Sequence, residues 1–206
     1  MARNRNDVRS RTSLSRTRGT RQERRRILIV TEGEETEPDY FKGLAASLRA
    51  TGVDVQSMQI IGEGRDPMRV VKRAALLSNE GRSIGKRDGY DSVWCVIDVD
   101  DHAGLPNAII EAKALGFSVS ISNPCFEIWL LWHFIDCTRY MTREDLKAAL
   151  KKRGHEGKSV SASFPFASVK NAINRASGAT VDMPDNPGSG VWRLVEVLDQ
   201  GGRLKA

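Results

Sequence analysis

Two uninterrupted apolar runs, Ile27-Leu28-Ile29-Val30 and Val93-Trp94-Cys95-Val96-Ile97, constrain this chain more than any other feature. A strand exposed on one face alternates apolar and polar residues. A run without polar partners has to be covered on both faces, which is the condition of strands in a parallel sheet flanked by helices. The rest of the N-terminal two thirds fits that demand. After the first run, Phe41, Leu44, Ala45 and Leu48 recur at helical spacing up to Gly52, with Thr36 and Asp39 set out like a capping box. Residues 53–61 alternate as a strand, and Asp66-Pro67 is an N-cap followed by a proline at the first helical position. Residues 91–100 form the next strand, 106–115 a helix closed by Gly116, 117–122 a fourth strand, and an apolar helix follows from Asn123-Pro124.

Strand and helix alternating four times predict an α/β domain over 26–140: a mainly parallel sheet of about four strands covered by helices. Beyond residue 136 the strand patterns stop. Residues 142–154, 165–177 and 191–202 read as helices, so 141–206 is expected to be a C-terminal helical part packed on the same sheet.

Charge separates the tail from the rest. Residues 1–26 carry ten arginines against two acids, and the other 180 residues carry 22 basic side chains against 24 acidic ones. The segment 1–25 has too few apolar side chains to offset the entropy of ordering and is expected to be disordered. Its arginines can neutralise phosphates, with Arg24, Arg25 and Arg26 the expected nucleic-acid contacts; a merely solubilising tail is the competing reading. An organelle transit peptide would need an apolar helical face that this stretch lacks. No apolar run approaches the ~20 residues of a membrane span. Three cysteines, Cys95, Cys125 and Cys137, lie in apolar surroundings without CxxC spacing, as reduced thiols of a cytoplasmic protein would.

In an open parallel sheet the ligand site lies beyond the carboxyl ends of the strands. Three of the four expected strands end in acids: the first in Glu32, the third in Asp98, Asp100 and Asp101, and the fourth in Glu127 one turn later. Asp98 and Asp100, two apart on an extended segment, share a face. Carboxylates held together repel unless a cation lies between them, and one or two carboxylates completed by water suit Mg²⁺ or Mn²⁺. Taken alone the DxD could equally be a polar strand end, and Glu127 a dipole partner in a first helical turn. Glu34, Glu35, Glu37 and Asp39 are assigned to loop and cap. His102 and His133 have no matching ligand spacing. The Gly-Lys-Ser at 157–159 is no phosphate-binding P-loop, because position 152, where its first glycine belongs, is lysine.

A hydrophobic strand ending in Glu-Gly (ILIVTEG) and a later one ending in Asp-x-Asp (WCVIDVDD) resemble the Toprim fold of topoisomerases, bacterial primases and overcoming-lysogenisation-defect nucleases. TEGEETEPDYF together with SNPCFEIWLLWHF is more narrowly similar to the RloB-like family, small Toprim-like proteins associated with phage defence and restriction loci. The resemblance covers roughly residues 26–200 and implies a Rossmann-like, Toprim-like sheet. It implies that Glu32 is the general acid or base, that Asp98 and Asp100 hold the divalent metal, and that Glu127 lies near the same site. It also implies a nuclease acting on DNA or tRNA, with an AAA- or ABC-type ATPase as partner and possible homo-oligomers. The alternatives are a non-catalytic binding subunit of such a complex and, less well supported, a receiver-like domain, for which the lysine after a later strand is missing.

Overall fold

The computed structural model describes residues 25–52, 55–64, 66–83, 89–99, 104–176, 183–200 and 204. The tail through Arg24, and Asp100 with Asp101 and His102, lie outside the described residues. Strand β1 (Arg26–Thr31) is followed by α1 (Thr36–Ala50), β2 (Ser57–Gly62), α2 (Pro67–Ser83), β3 (Ser92–Asp98), α3 (Leu105–Ala114) and β4 (Ser118–Asn123). Then come α4 (Glu127–Leu131), α5 (Arg143–Lys151), a 3₁₀ turn (Phe166–Ser168), α6 (Val169–Ala176), β5 (Gly188–Ser189) and α7 (Val191–Leu198).

The sheet order is β2-β1-β3-β4-β5, the first four strands parallel and β5 antiparallel to β4. The two apolar runs are buried on both faces, for the geometric reason that successive side chains point to opposite sides. Ile27 and Ile29 of β1, with Trp94 and Val96 of β3, enter the core shared with α1 and α4 to α7. Leu28 and Val30, with Val93, Cys95 and Ile97, enter the second core under α2 and α3. Each fully buried aliphatic side chain contributes about 1.5–3 kcal/mol, so neither face is dispensable. Among the described residues, β5 is the strand the alternation pattern misses. It is two residues long, and a segment that short has no readable period.

Local side-chain chemistry accounts for two helix starts, those of α2 and α5. Asp66 accepts the Met68 N–H at 2.9 Å ahead of Pro67, and Thr142 and Asp145 form a reciprocal capping box on α5. The capping box expected on α1 does not form. Thr36 instead donates its hydroxyl to the Lys158 carbonyl at 2.7 Å, and Asp39 accepts from the Ser159 hydroxyl at 3.1 Å. Tertiary partners more than a hundred residues away have taken both side chains. The apolar helix expected from residue 124 begins only at Glu127, after a cis Asn123–Pro124 bond. The C-terminal helices pack on the sheet: Leu146, Leu150, Ile173, Leu194 and Val195 share the core of Ile27 and Ile29. Among the described residues no helix is long and apolar enough to cross a membrane. Cys95 and Cys125 are buried, Cys137 partly so, and none is paired.

A carboxylate cleft at the switch point

From β1 the chain leaves toward β2 on one side, and from β3 it leaves toward β4 on the other. The carboxyl ends of these two neighbouring strands therefore bound a crevice, the place where an open parallel sheet binds its ligands. Register sets what meets there. Thr31 lies opposite Val96, the Glu32 N–H continues the ladder by donating to the Val96 carbonyl at 2.9 Å, and the Asp98 N–H donates to Glu32 Oε2 at 3.1 Å. Glu32 and Asp98 are thus tied together by backbone geometry. Glu32 is 8% exposed.

Behind Glu32 the chain turns sharply. Thr31 donates its hydroxyl to the Gly33 carbonyl at 2.7 Å, and the Gly33 N–H donates to Glu37 Oε1 at 3.0 Å. A Cβ at Gly33 would lie 1.9 Å from Glu37 Oε2, so glycine is required here by the carboxylate packed against it. Glu37 is not the solvated cap residue the sequence suggests: it is 5% exposed and lines the cleft with Glu32, Asp98 and Glu127. Burial pushes its carboxyl up to about 7, with Glu127 and Glu32 adding repulsion and the Gly33 N–H opposing it. Burial also holds the Asp98 carboxyl well above the usual range, reinforced by Glu37, Glu127 and Glu32 and countered by Arg143. Glu127, the first residue of α4, brings the fourth carboxylate.

Facing these acids is the first C-terminal helix. Arg143, Lys147 and Lys151 recur every fourth residue along α5, beside the buried row of Leu146 and Leu150, and all three line the cleft. Arg143 Nη2 lies 3.8 Å from Asp98 Oδ2. The segment 155–158, held to α1 through Thr36 and Asp39, closes the same side with His155, Glu156 and Lys158. The cleft between the two walls holds about 800 Å³.

Of the residues expected at the site, Glu32, Asp98 and Glu127 come together, while Asp100 lies outside the described residues. Arg26 is elsewhere. It begins β1, its N–H bonded to Asp91 and its guanidinium over the Tyr90 ring at 5.3 Å, roughly 20 Å along the strand from the carboxylates. Arg25 beside it is exposed, and Arg24 lies outside the described residues. Two features of the cleft lie outside the expected set. Glu37 heads the buried stripe Glu37, Phe41, Leu44 and Leu48 of α1, so its helical phase already placed it inward. The basic row of α5 is legible as i, i+4 spacing, but no local pattern says which wall it faces.

His133 stays outside the site. Its Nδ1 faces the Trp129 carbonyl at 3.0 Å, an acceptor only, so that nitrogen carries the proton and Nε2 accepts from the Tyr40 hydroxyl at 3.1 Å.

A hard divalent cation suits the cleft's donors. On the acid wall they are all carboxylate oxygens, and Asp98 Oδ1 is buried with no hydrogen-bond partner among the described residues. Among the described residues no group of three or more Asp, Glu, His or Cys side chains is drawn together as a ready ligand set. The fit is therefore that of a cation held by one or two carboxylates and largely by water, as Mg²⁺ is.

A family model described as RloB-like protein matches residues 27–198. No curated protein and no solved structure matches the chain.

Proposed function

The chain belongs to the RloB-like protein family, and we propose that its cleft is the site of a magnesium- or manganese-dependent nuclease that hydrolyses phosphodiester bonds of DNA or RNA. We further propose that it serves antiphage defence together with an AAA- or ABC-type ATPase. The observation that carries the reading is the unpartnered, buried Asp98 Oδ1 set beside Glu32 at the switch point of a Toprim-like sheet.

In this reading Asp98, with Asp100 beyond it, holds the ion, and Glu127 supports it. The ion, when bound, supplies positive charge to the phosphate oxygens as negative charge develops there. Glu32 takes the proton of the attacking water and returns one to the departing oxygen, its carboxylate kept in place by the Asp98 N–H. Arg143 offers a forked set of donors to the phosphate, a geometry lysine lacks. Glu37 holds the turn that presents Glu32.

The test uses the full chain with its ATPase partner. Nucleic acid should be cut with Mg²⁺ or Mn²⁺, and Glu32→Gln or Asp98→Ala should abolish cutting; full cleavage by both variants sinks the assignment. A second reading is a non-catalytic regulatory subunit of the ATPase complex, in which Arg143, 3.8 Å from Asp98, supplies the positive charge at the carboxylates. Calorimetry separates the two, since metal-dependent heat lost in Asp98→Ala is expected only of a working site.

A further inference from the structure

The nuclease reading leaves open what form of nucleic acid reaches the carboxylates and what holds it there. Resting on that reading, we infer that the cleft takes a single, unpaired strand, whose phosphates run along the basic row of α5 and not along the arginine-rich tail.

Three observations lead to it. The first is burial. The cleft holds about 800 Å³, and Glu32 and Glu37, which line it, are nearly out of reach of solvent. A duplex resting on the rim would have to push its backbone down to Glu32 and Glu37, which are 8% and 5% exposed. One extended strand enters without that obstacle.

The second is the layout of charge. Outside the first 26 residues the chain carries a net charge of −2, by 22 basic against 24 acidic side chains. A polyanion therefore needs a local basic surface to approach four carboxylates. Arg143, Lys147 and Lys151 supply it, about 6 Å apart along the axis at 1.5 Å per residue. That interval is close to the separation of neighbouring phosphates on one strand. Lys158 extends the wall from the 155–158 segment, which Thr36 and Asp39 fix to α1. Lys151 pairs with Glu156 at 2.7 Å, but both side chains are exposed, and an ion pair of that kind, worth about 0–1 kcal/mol, yields readily to a phosphate. The arginine tail joins the fold at Arg26, at the opposite end of β1 from the carboxylates.

The third is a ring. Two lining residues carry one, Phe126 and His155, and Phe126 is 1% exposed. His155 is half-buried, its ring edge-on to Phe164 at 5.9 Å. An unpaired base can stack on such a face, whereas a paired base cannot.

The experiment is fluorescence anisotropy with the full chain in chelator, so that binding is read without cleavage. Labelled 15-mers are compared as a single strand, as the same sequence in duplex, and against free ATP as a competitor. The single strand should bind at least tenfold more tightly than the duplex. Lys147→Gln/Lys158→Gln, both changes at exposed positions, should weaken binding and flatten the slope of log K against log salt by about 1.4, at roughly 0.7 per phosphate contact. His155→Ala should weaken it irrespective of sequence, while neutralising Arg24 and Arg25 should leave the single-strand preference in place. Equal affinity for duplex, an unchanged salt slope in the double variant, or displacement by ATP as effective as by unlabelled strand would each overturn the inference. The two ideas fail separately. Strand binding as described with no metal-dependent cutting defeats the nuclease reading alone, and cutting of duplex by a protein that prefers duplex defeats the strand assignment alone.

Discussion

The Asp98 backbone N–H donates to Glu32 Oε2 at 3.1 Å, joining the ends of two adjacent parallel strands through a side chain. The donor of that bond is a backbone N–H, which does not titrate, so the sheet holds one oxygen of Glu32 at every pH. Glutamine preserves the acceptor and removes the base. Glu32→Gln should keep its melting temperature within a few degrees of wild type while cutting falls by about 10²–10⁴-fold. Glu32→Ala should lose the bond as well, costing about 1 kcal/mol more in urea titrations. Equal stability losses in the two variants would show that the bond does not orient Glu32.

Gly33→Ala is expected to damage the site before the fold. The added methyl meets Glu37 Oε2 at 1.9 Å, and either the carboxylate swings out or the turn opens. A loss of about 1–3 kcal/mol is the scale for overpacking. The diagnostic is a second change: Gly33→Ala/Glu37→Ala should recover stability relative to Gly33→Ala, and a strictly additive pair would contradict the contact.

Glu37 makes metal-free stability fall as pH rises. Its carboxyl is raised from 4.5 to about 7 in the folded state, chiefly by burial. A group shifted upward contributes stability that is complete below pH 4.5 and is lost as pH climbs through 7. Glu37→Gln should therefore be the more stable protein at pH 8, by on the order of 3 kcal/mol at most, and should converge with wild type at pH 4.5. Urea melts at both values check this. A gap of the same size at both values refutes it.

His133 acts in the opposite sense. Burial lowers it from 6.5 to about 4, and its tautomer is committed to Trp129 and Tyr40. The stability it supports is present above pH 6.5 and lost as pH falls to 4, on the order of 3 kcal/mol in full. His133→Gln, which does not titrate, should flatten that acid limb. An unaltered limb would locate the acid sensitivity elsewhere.

Divalent metal should raise the melting temperature most where the carboxylates are ionised. At one hundred times its dissociation constant, Mg²⁺ would add about 2.7 kcal/mol, and chelator should remove it. Protons compete for Asp98 and Glu37, so the gain should shrink at pH 5 and vanish in Asp98→Asn. A gain of equal size in Asp98→Asn would move the metal away from this cleft.

The periodicity of the chain was enough for the two-faced burial of β1 and β3, the helices between them, and the placing of Glu32, Asp98 and Glu127 at or beyond the carboxyl ends of the strands. These follow from local rules, since an unbroken apolar run has to be covered on both sides and a parallel strand has to be followed by a crossover. The tertiary structure alone decided the rest. Thr36 and Asp39 have the spacing of a cap, but partners at Lys158 and Ser159 claim them. Glu37 has the sequence position of a solvated acid, but α1 turns it against Gly33 and the other carboxylates. Arg143, Lys147 and Lys151 became a wall only when α5 docked across from β3, bringing Arg143 to Asp98 over 45 residues of chain. Burial and charge pairing between distant segments depend on how elements pack, and no local pattern encodes that.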